Sequence, residues 1–123
     1  MKRTLSVVLA ILLTASASQA QYVDITLNEW KILSKKDTVK AGRVTFQIKN
    51  TGSMAHALRI TGEGVDKATV DIARNGGGSL VVTLKPGTYE LWCPLSDDTH
   101  KVAGMTRKFH VVAATETKAP GKP

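Results

Sequence analysis

Four side chains carry chemistry that a packed core does not need: His56, Cys93, His100 and Met105. The last three fall within one thirteen-residue stretch, CPLSDDTHKVAGM, and Cys93 is the only cysteine of the chain. Thiolate and thioether sulfur suit Cu(I), whereas imidazole nitrogen is acceptable to Cu(II). A compromise donor set on a stiff frame changes shape little when an electron moves. The chemistry these residues suit is therefore one-electron transfer at a single copper ion cycling between Cu(I) and Cu(II). Taken singly, His56 reads as a satisfied structural histidine, Met105 as core filler and Cys93 as a small buried hydrophobe. Together they are hard to explain that way. A cysteine hydrolase with Cys93 as nucleophile and His56 or His100 as base leaves one histidine and Gly104-Met105 without a role. Zinc would favour a fourth Cys, His or carboxylate over a thioether. A metal-free adhesion sandwich is the remaining class, and it expects no loss of function when Cys93 is changed.

To bring these donors together, the chain must supply strands from separate stretches. From Tyr22 onward apolar residues recur at period two, between turn residues, without a long amphipathic helix. The chain reads as all-β. Val23, Ile25 and Leu27 form one inward set, with Trp30 to Leu33 as an irregular continuation, and Val44, Phe46 and Ile48 form the next. Asn50-Thr51-Gly52 reads as a turn. His56, Leu58 and Ile60 share a parity that puts His56 at the mouth of a third strand. Val70 and Ile72 suggest a short strand, although 66–74 could equally form a brief helix, and Asn75-Gly76-Gly77-Gly78 reads as a hairpin turn. Leu80, Val82 and Leu84, then Tyr89, Leu91 and Cys93, and finally Met105, Phe109 and Val111 complete the inward sets. Strands at this spacing point to a Greek-key β-sandwich or barrel, in which a neighbouring strand can carry His56 to the other donors. His110 falls on the solvent-facing parity, Met54 reads as an apolar loop residue, and Trp30 and Trp92 read as packing or surface residues, Trp92 alternating away from Cys93.

Composition limits the setting. The 123 residues, 42% apolar and 22% charged, build one ordinary domain with a small core. Lys2 and Arg3, the apolar run Leu5–Leu13 and Ser18-Gln19-Ala20 read as a secretory signal peptide over residues 1–20, cut before Gln21, with an uncleaved anchor as the alternative. The apolar run is shorter than the roughly 20 residues that span a bilayer. Removing Lys2 and Arg3 lowers the basic count from 17 to 15 against 10 acids, a net charge of +5. The lysines are scattered, which fits steering toward an acidic partner better than nucleic-acid binding. Residues 21–112 form the working domain, and 113–123 read as a disordered tail.

The segments Asn50-Thr51-Gly52-x3-His56 and Pro86-Gly87-Thr88-Tyr89-x3-Cys93-x6-His100-x3-Gly104-Met105 resemble the cupredoxin, or small type 1 blue copper protein, family of the plastocyanin and azurin kind. The similarity extends over roughly residues 22 to 112. It implies a cupredoxin-like β-sandwich of seven or eight strands, with His56, Cys93 and His100 as equatorial copper ligands and Met105 as the axial one. It also implies that His100 sits near the surface within an apolar patch, for which Pro94, Leu95, Val102 and Ala103 are candidates. The Ala57 N–H would donate to the Cys93 sulfur. The chain departs from the family by carrying Ala57 where many members have Asn directly after the first histidine, and by a Cys93–His100 loop longer than in plastocyanin-like members, with Asp97 and Asp98 in it. The expected function is that of a periplasmic, monomeric one-electron carrier, not an enzyme, passing electrons between a redox donor and an acceptor such as an acidic cytochrome or an oxidase. A periplasmic carrier or chaperone that delivers copper to another protein is the alternative. Neither nucleic-acid binding nor stable membrane insertion is expected.

Overall fold

A computed structural model describes residues 20–114. The segments read as a signal peptide and a tail therefore lie outside the described residues, apart from Ala20, Ala113 and Ala114. Among the described residues no helix is long and apolar enough to cross a membrane.

Among the described residues, nine strands rather than seven or eight form two sheets. They are β1 (Gln21–Asn28), β2 (Lys31–Ser34), β3 (Thr38–Lys40), β4 (Gly42–Asn50), β5 (Arg59–Gly62), β6 (Val65–Ala68), β7 (Gly77–Leu84), β8 (Gly87–Trp92) and β9 (Thr106–Val112). One short helix, α1 (Thr99–Ala103), lies between β8 and β9. The first sheet runs β2-β1-β4-β7 and the second β3-β9-β8-β5-β6, so neighbours in space are seldom neighbours in sequence. The β1–β4 and β3–β9 pairs are parallel.

Alternation explains the sandwich. Every inward set read from the sequence is buried: Val23, Ile25 and Leu27 on β1, Val44, Phe46 and Ile48 on β4, Leu80, Val82 and Leu84 on β7, and Phe109 and Val111 on β9. The two sheets meet across this surface, where Phe46 of one and Phe109 of the other pack edge to face with centroids 5.3 Å apart. Burying such side chains contributes roughly 1.5–3 kcal/mol each. Tyr89 is buried as well, its hydroxyl donating to the Lys85 carbonyl at 2.7 Å.

Three local expectations need correction. Residues Trp30 to Leu33 do not continue β1; the chain reverses at Glu29-Trp30, and β2 returns antiparallel along it with Leu27 opposite Ile32. β2 is one of the strands that the alternation did not separate, with β3 and β6. Residues 66–74 hold no helix, because β6 pairs with β5 and Ile72 bridges to His56. Asn75 to Gly78 do not close a hairpin between paired strands either, since β6 and β7 belong to different sheets. Asn75, at φ 60°, instead turns the chain into β7.

Candidate metal centre

His56 lies just before β5, between the turn after β4 and an isolated bridge to Ile72. Its N–H donates to the Ile72 carbonyl at 3.1 Å and the Ile72 N–H returns a bond at 2.8 Å. Asn50 holds the preceding turn: it is fully buried, its amide group donates to the carbonyls of Met54 (2.8 Å) and Ile72 (2.9 Å), and its oxygen accepts from the Gly52 N–H at 2.8 Å. The turn expected at Asn50-Thr51-Gly52 is thus present, and its asparagine anchors the histidine loop.

Cys93 follows β8 directly and is wholly buried, as the inward parity of Tyr89 and Leu91 requires. Its N–H donates to the Met105 carbonyl at 3.1 Å, which sets the start of the ligand loop beside its end. Between them Ser96, Asp97 and Asp98 all take left-handed backbone angles (φ 57°, 51° and 64°), a conformation non-glycine residues adopt at a cost. This sharp coil turns the chain into α1 and delivers His100 back toward Cys93. Gly104, at φ 133°, passes beneath the Trp30 carbonyl, where a Cβ would stand only 2.8 Å from the oxygen. The Gly-Met pair read in the sequence therefore has a steric cause. Met105 is completely buried.

The three donors converge. His56 Nδ1 and His100 Nδ1 are 3.3 Å apart, Cys93 Sγ and His100 Nδ1 are 3.6 Å apart, and one donor atom from each residue lies within 4.8 Å of the others. Nitrogen and sulfur ligands about 2.0–2.3 Å from one ion in a trigonal plane stand roughly 3.5–3.8 Å from each other. The two spacings from His100 match that geometry, and the three donors are close enough together to share one small ion. The Ala57 N–H donates to Cys93 Sγ at 3.5 Å, as expected. One such bond withdraws charge from the sulfur and tunes a bound metal.

The ring nitrogens turned away from this point also have partners. His100 Nε2 is 3.4 Å from Ser96 Oγ, and His56 Nε2 is 3.1 Å from Glu29 Oε1. Desolvation, and then the neighbouring His56, push the His100 pKa down, so the neutral imidazole that a metal needs is favoured. Desolvation raises the Glu29 pKa, but N–H groups of Glu29 itself, Ser53 and Met54, together with His56, outweigh it and hold the carboxyl below its usual range.

Two expectations about the surroundings change. His100 is only 6% exposed, because Trp30 packs edge-on against its ring with centroids 4.9 Å apart. Val102 and Ala103 are exposed, but Pro94 and Leu95 are half-buried and Leu95 packs on the core. Trp92 does alternate away from Cys93, yet it is buried between the Arg59 guanidinium (4.8 Å) and the Lys101 ammonium (4.3 Å). Sequence reasoning missed Glu29 and read Trp30 only as packing or surface. Nothing near them in the chain marks them, since they reach the site only through the β1–β2 reversal. His110 is exposed as its parity requires, and Met54 is an exposed loop residue.

A family model described as a cupredoxin-like domain matches residues 3–103. The chain belongs to the cupredoxin-like family. No curated protein matches the sequence. Among solved structures, the dithionite-reduced auracyanin of Roseiflexus castenholzii superposes with a TM-score of 0.66 at 22% identity, over 75% of this chain and 97% of that one. Auracyanin B gives 0.64 at 18% identity over 75% and 88%, and auracyanin A, a "blue" copper protein of Chloroflexus aurantiacus, 0.64 at 17% over 76% and 100%. These likenesses carry the cupredoxin fold. A cupredoxin with a buried His-Cys-His cluster takes one copper ion as its cofactor, and this donor set fits it.

Proposed function

We propose that this cupredoxin is a one-electron carrier whose single type 1 copper is held equatorially by His56, Cys93 and His100 and axially by Met105. The observation that carries this is the spacing of the three buried donors, 3.3 Å between the imidazole nitrogens and 3.6 Å from sulfur to His100. Copper bound there supplies the Cu(I)/Cu(II) couple. The chain's own part is to hold the donors still. Asn50 and the Ile72 bridge fix His56, the Cys93–Met105 backbone bond closes the second loop, and Trp30 keeps water from His100.

Cys93 is wholly buried, His100 Nδ1 stands 3.6 Å from its sulfur, and one donor atom from each of His56, Cys93 and His100 lies within 4.8 Å of the others, which suits metal ligation better than attack on a substrate. We therefore read the protein as a shuttle between a redox donor and an acceptor and not as an enzyme. The apolar run before Gln21 supports a signal peptide over 1–20, a periplasmic setting and a working domain of 21–112. The basic balance of the chain suits an acidic partner such as a cytochrome or an oxidase.

Absorption and electron paramagnetic resonance spectra of the copper-loaded, oxidised protein test this. An intense visible thiolate-to-copper band is expected, and Cys93→Ser should abolish it; a band that survives removes Cys93 from the ligand set. Met105→Leu should retain copper with a changed reduction potential, and an unchanged potential would remove the axial role. A copper-delivery protein would give up its copper to a Cu(I) chelator at a rate matching exchange, whereas a shuttle retains it through repeated reduction and oxidation.

A further inference from the structure

A histidine that ligates through one ring nitrogen must satisfy the other, and the partner it finds fixes both tautomer and basicity. For His56 that partner is a carboxylate from a distant hairpin. Glu29 Oε1 accepts from His56 Nε2–H at 3.1 Å, from the Ser53 N–H at 2.8 Å and from the Met54 N–H at 3.1 Å. His56 is fully buried, while the Glu29 side chain is 24% exposed. The approach is tight. A Cβ on Gly52 would lie 2.5 Å from Glu29 Oε1 and 2.8 Å from His56 Nε2, so only glycine leaves room for the contact.

A negative charge set one imidazole away from the ion favours the more positive oxidation state. Partial burial weakens the screening that would otherwise erase this effect. A neutral acceptor in the same place would orient the ring without supplying the charge.

We propose that Glu29 is the positioning residue of this centre: its carboxylate holds His56 as the Nε2–H tautomer with Nδ1 turned to Cys93 and His100, and its charge lowers the reduction potential by favouring Cu(II). The second half rests on the copper reading above. The first half concerns the protein alone.

Glu29→Gln separates charge from shape, because an amide oxygen can still accept the same N–H groups. It should raise the potential by at least a tenfold change in the ratio of Cu(I) to Cu(II) affinity, which is about 59 mV for one electron. The unfolding midpoint of the copper-free protein should barely move. A potential within twofold of wild type on that ratio overturns the charge effect. Nitrogen-15 NMR of the copper-free protein near pH 8 reads the tautomer directly. His56 should be Nε2–H in the wild type and a mixture in Glu29→Ala; an unchanged tautomer overturns the positioning role. If Glu29→Ala does not fold, the tautomer is read in Gly52→Ala, whose added methyl would stand 2.5 Å from Glu29 Oε1 and so drives the carboxylate off the ring; the same mixture is expected, and an unchanged tautomer again overturns the positioning role. A wild-type protein that binds copper without the thiolate band defeats the copper reading, and the NMR result still decides whether Glu29 positions His56.

Discussion

The two histidine ligands are held in opposite ways. His56 is fixed by residues far away in the chain: Glu29 lies 27 residues before it, and Ile72 bonds it from a separate segment. The loop carrying His100 is fixed mostly by itself, through Thr99 N–H to Ser96, Val102 N–H to Asp98, Gly104 N–H to Lys101 and Met105 N–H to His100. Its main outside support is Trp30, packed on the imidazole. The difference teaches that one ligand is part of the sandwich and the other is mounted on a self-contained coil. A loop built this way can vary in length without disturbing the strands, which accounts for the six residues between Cys93 and His100 being accommodated.

The sharpest way to break the contrast is Asn50→Ala. It removes three hydrogen bonds and leaves the part-buried Met54 carbonyl and the buried Ile72 carbonyl with fewer donors, so the copper-free protein should lose about 2–3 kcal/mol in urea unfolding. A loss below about 0.5 kcal/mol would mean the His56 side is no better anchored than the other. Trp30→Ala should act on the His100 side instead. The edge-to-face contact with His100, at 4.9 Å, is worth roughly 0.5–1.5 kcal/mol, whereas Trp30 stands farther from His56, at 6.3 Å. His100 in the copper-free protein should therefore become several times more reactive to an imidazole-acylating reagent, and His56 much less so. Equal acceleration at both histidines would contradict the separate support of the two rings.

The smallest expected effect concerns how the Glu29-Trp30 hairpin is held down. Arg107 on β9 donates to the carbonyls of Ile32 and Ser34 on β2 and pairs with Asp37 at 2.8 Å. The Arg107 hydrogen bond, foremost, holds the Asp37 carboxyl below its ordinary 3.8. A carboxyl whose folded pKa is depressed stabilises the fold fully above its unfolded value and loses that contribution as pH falls through the folded one. Stability should therefore decline below pH 3.8 by more in the wild type than in Asp37→Asn. Both side chains are substantially exposed, so the difference in urea midpoints should correspond to less than about 1 kcal/mol. Identical acid profiles for the two proteins would show that the pair adds nothing to the hairpin's anchorage.

Much of the fold was legible because alternation is a local property. Val44, Phe46 and Ile48 announce their buried face with no knowledge of what covers them, and the parity of Tyr89 and Leu91 carries through to Cys93. The buried His56-Cys93-His100 cluster was legible because Cys93 and His100 share one short segment and Cys93 is the only cysteine of the chain. Trp30 to Leu33 misled for the same reason. A reversal at Glu29-Trp30 leaves the period-two pattern intact on both sides, so alternation could not tell a continued strand from a returning one. Residues 66–74 were ambiguous because their order comes from pairing with β5 and from the Ile72 bridge, both of them contacts across the fold.

Sequence by itself determined the inward faces of the strands and the choice of His56, Cys93 and His100 as the clustered donors, since side-chain chemistry and residue spacing are written along the chain. Only the tertiary structure decided that Glu29 meets His56, that Trp30 covers His100 and that Gly52 and Gly104 must lack a side chain. Those contacts join residues tens of positions apart, and a distance of about 3 Å between such groups exists only once the sheets have packed.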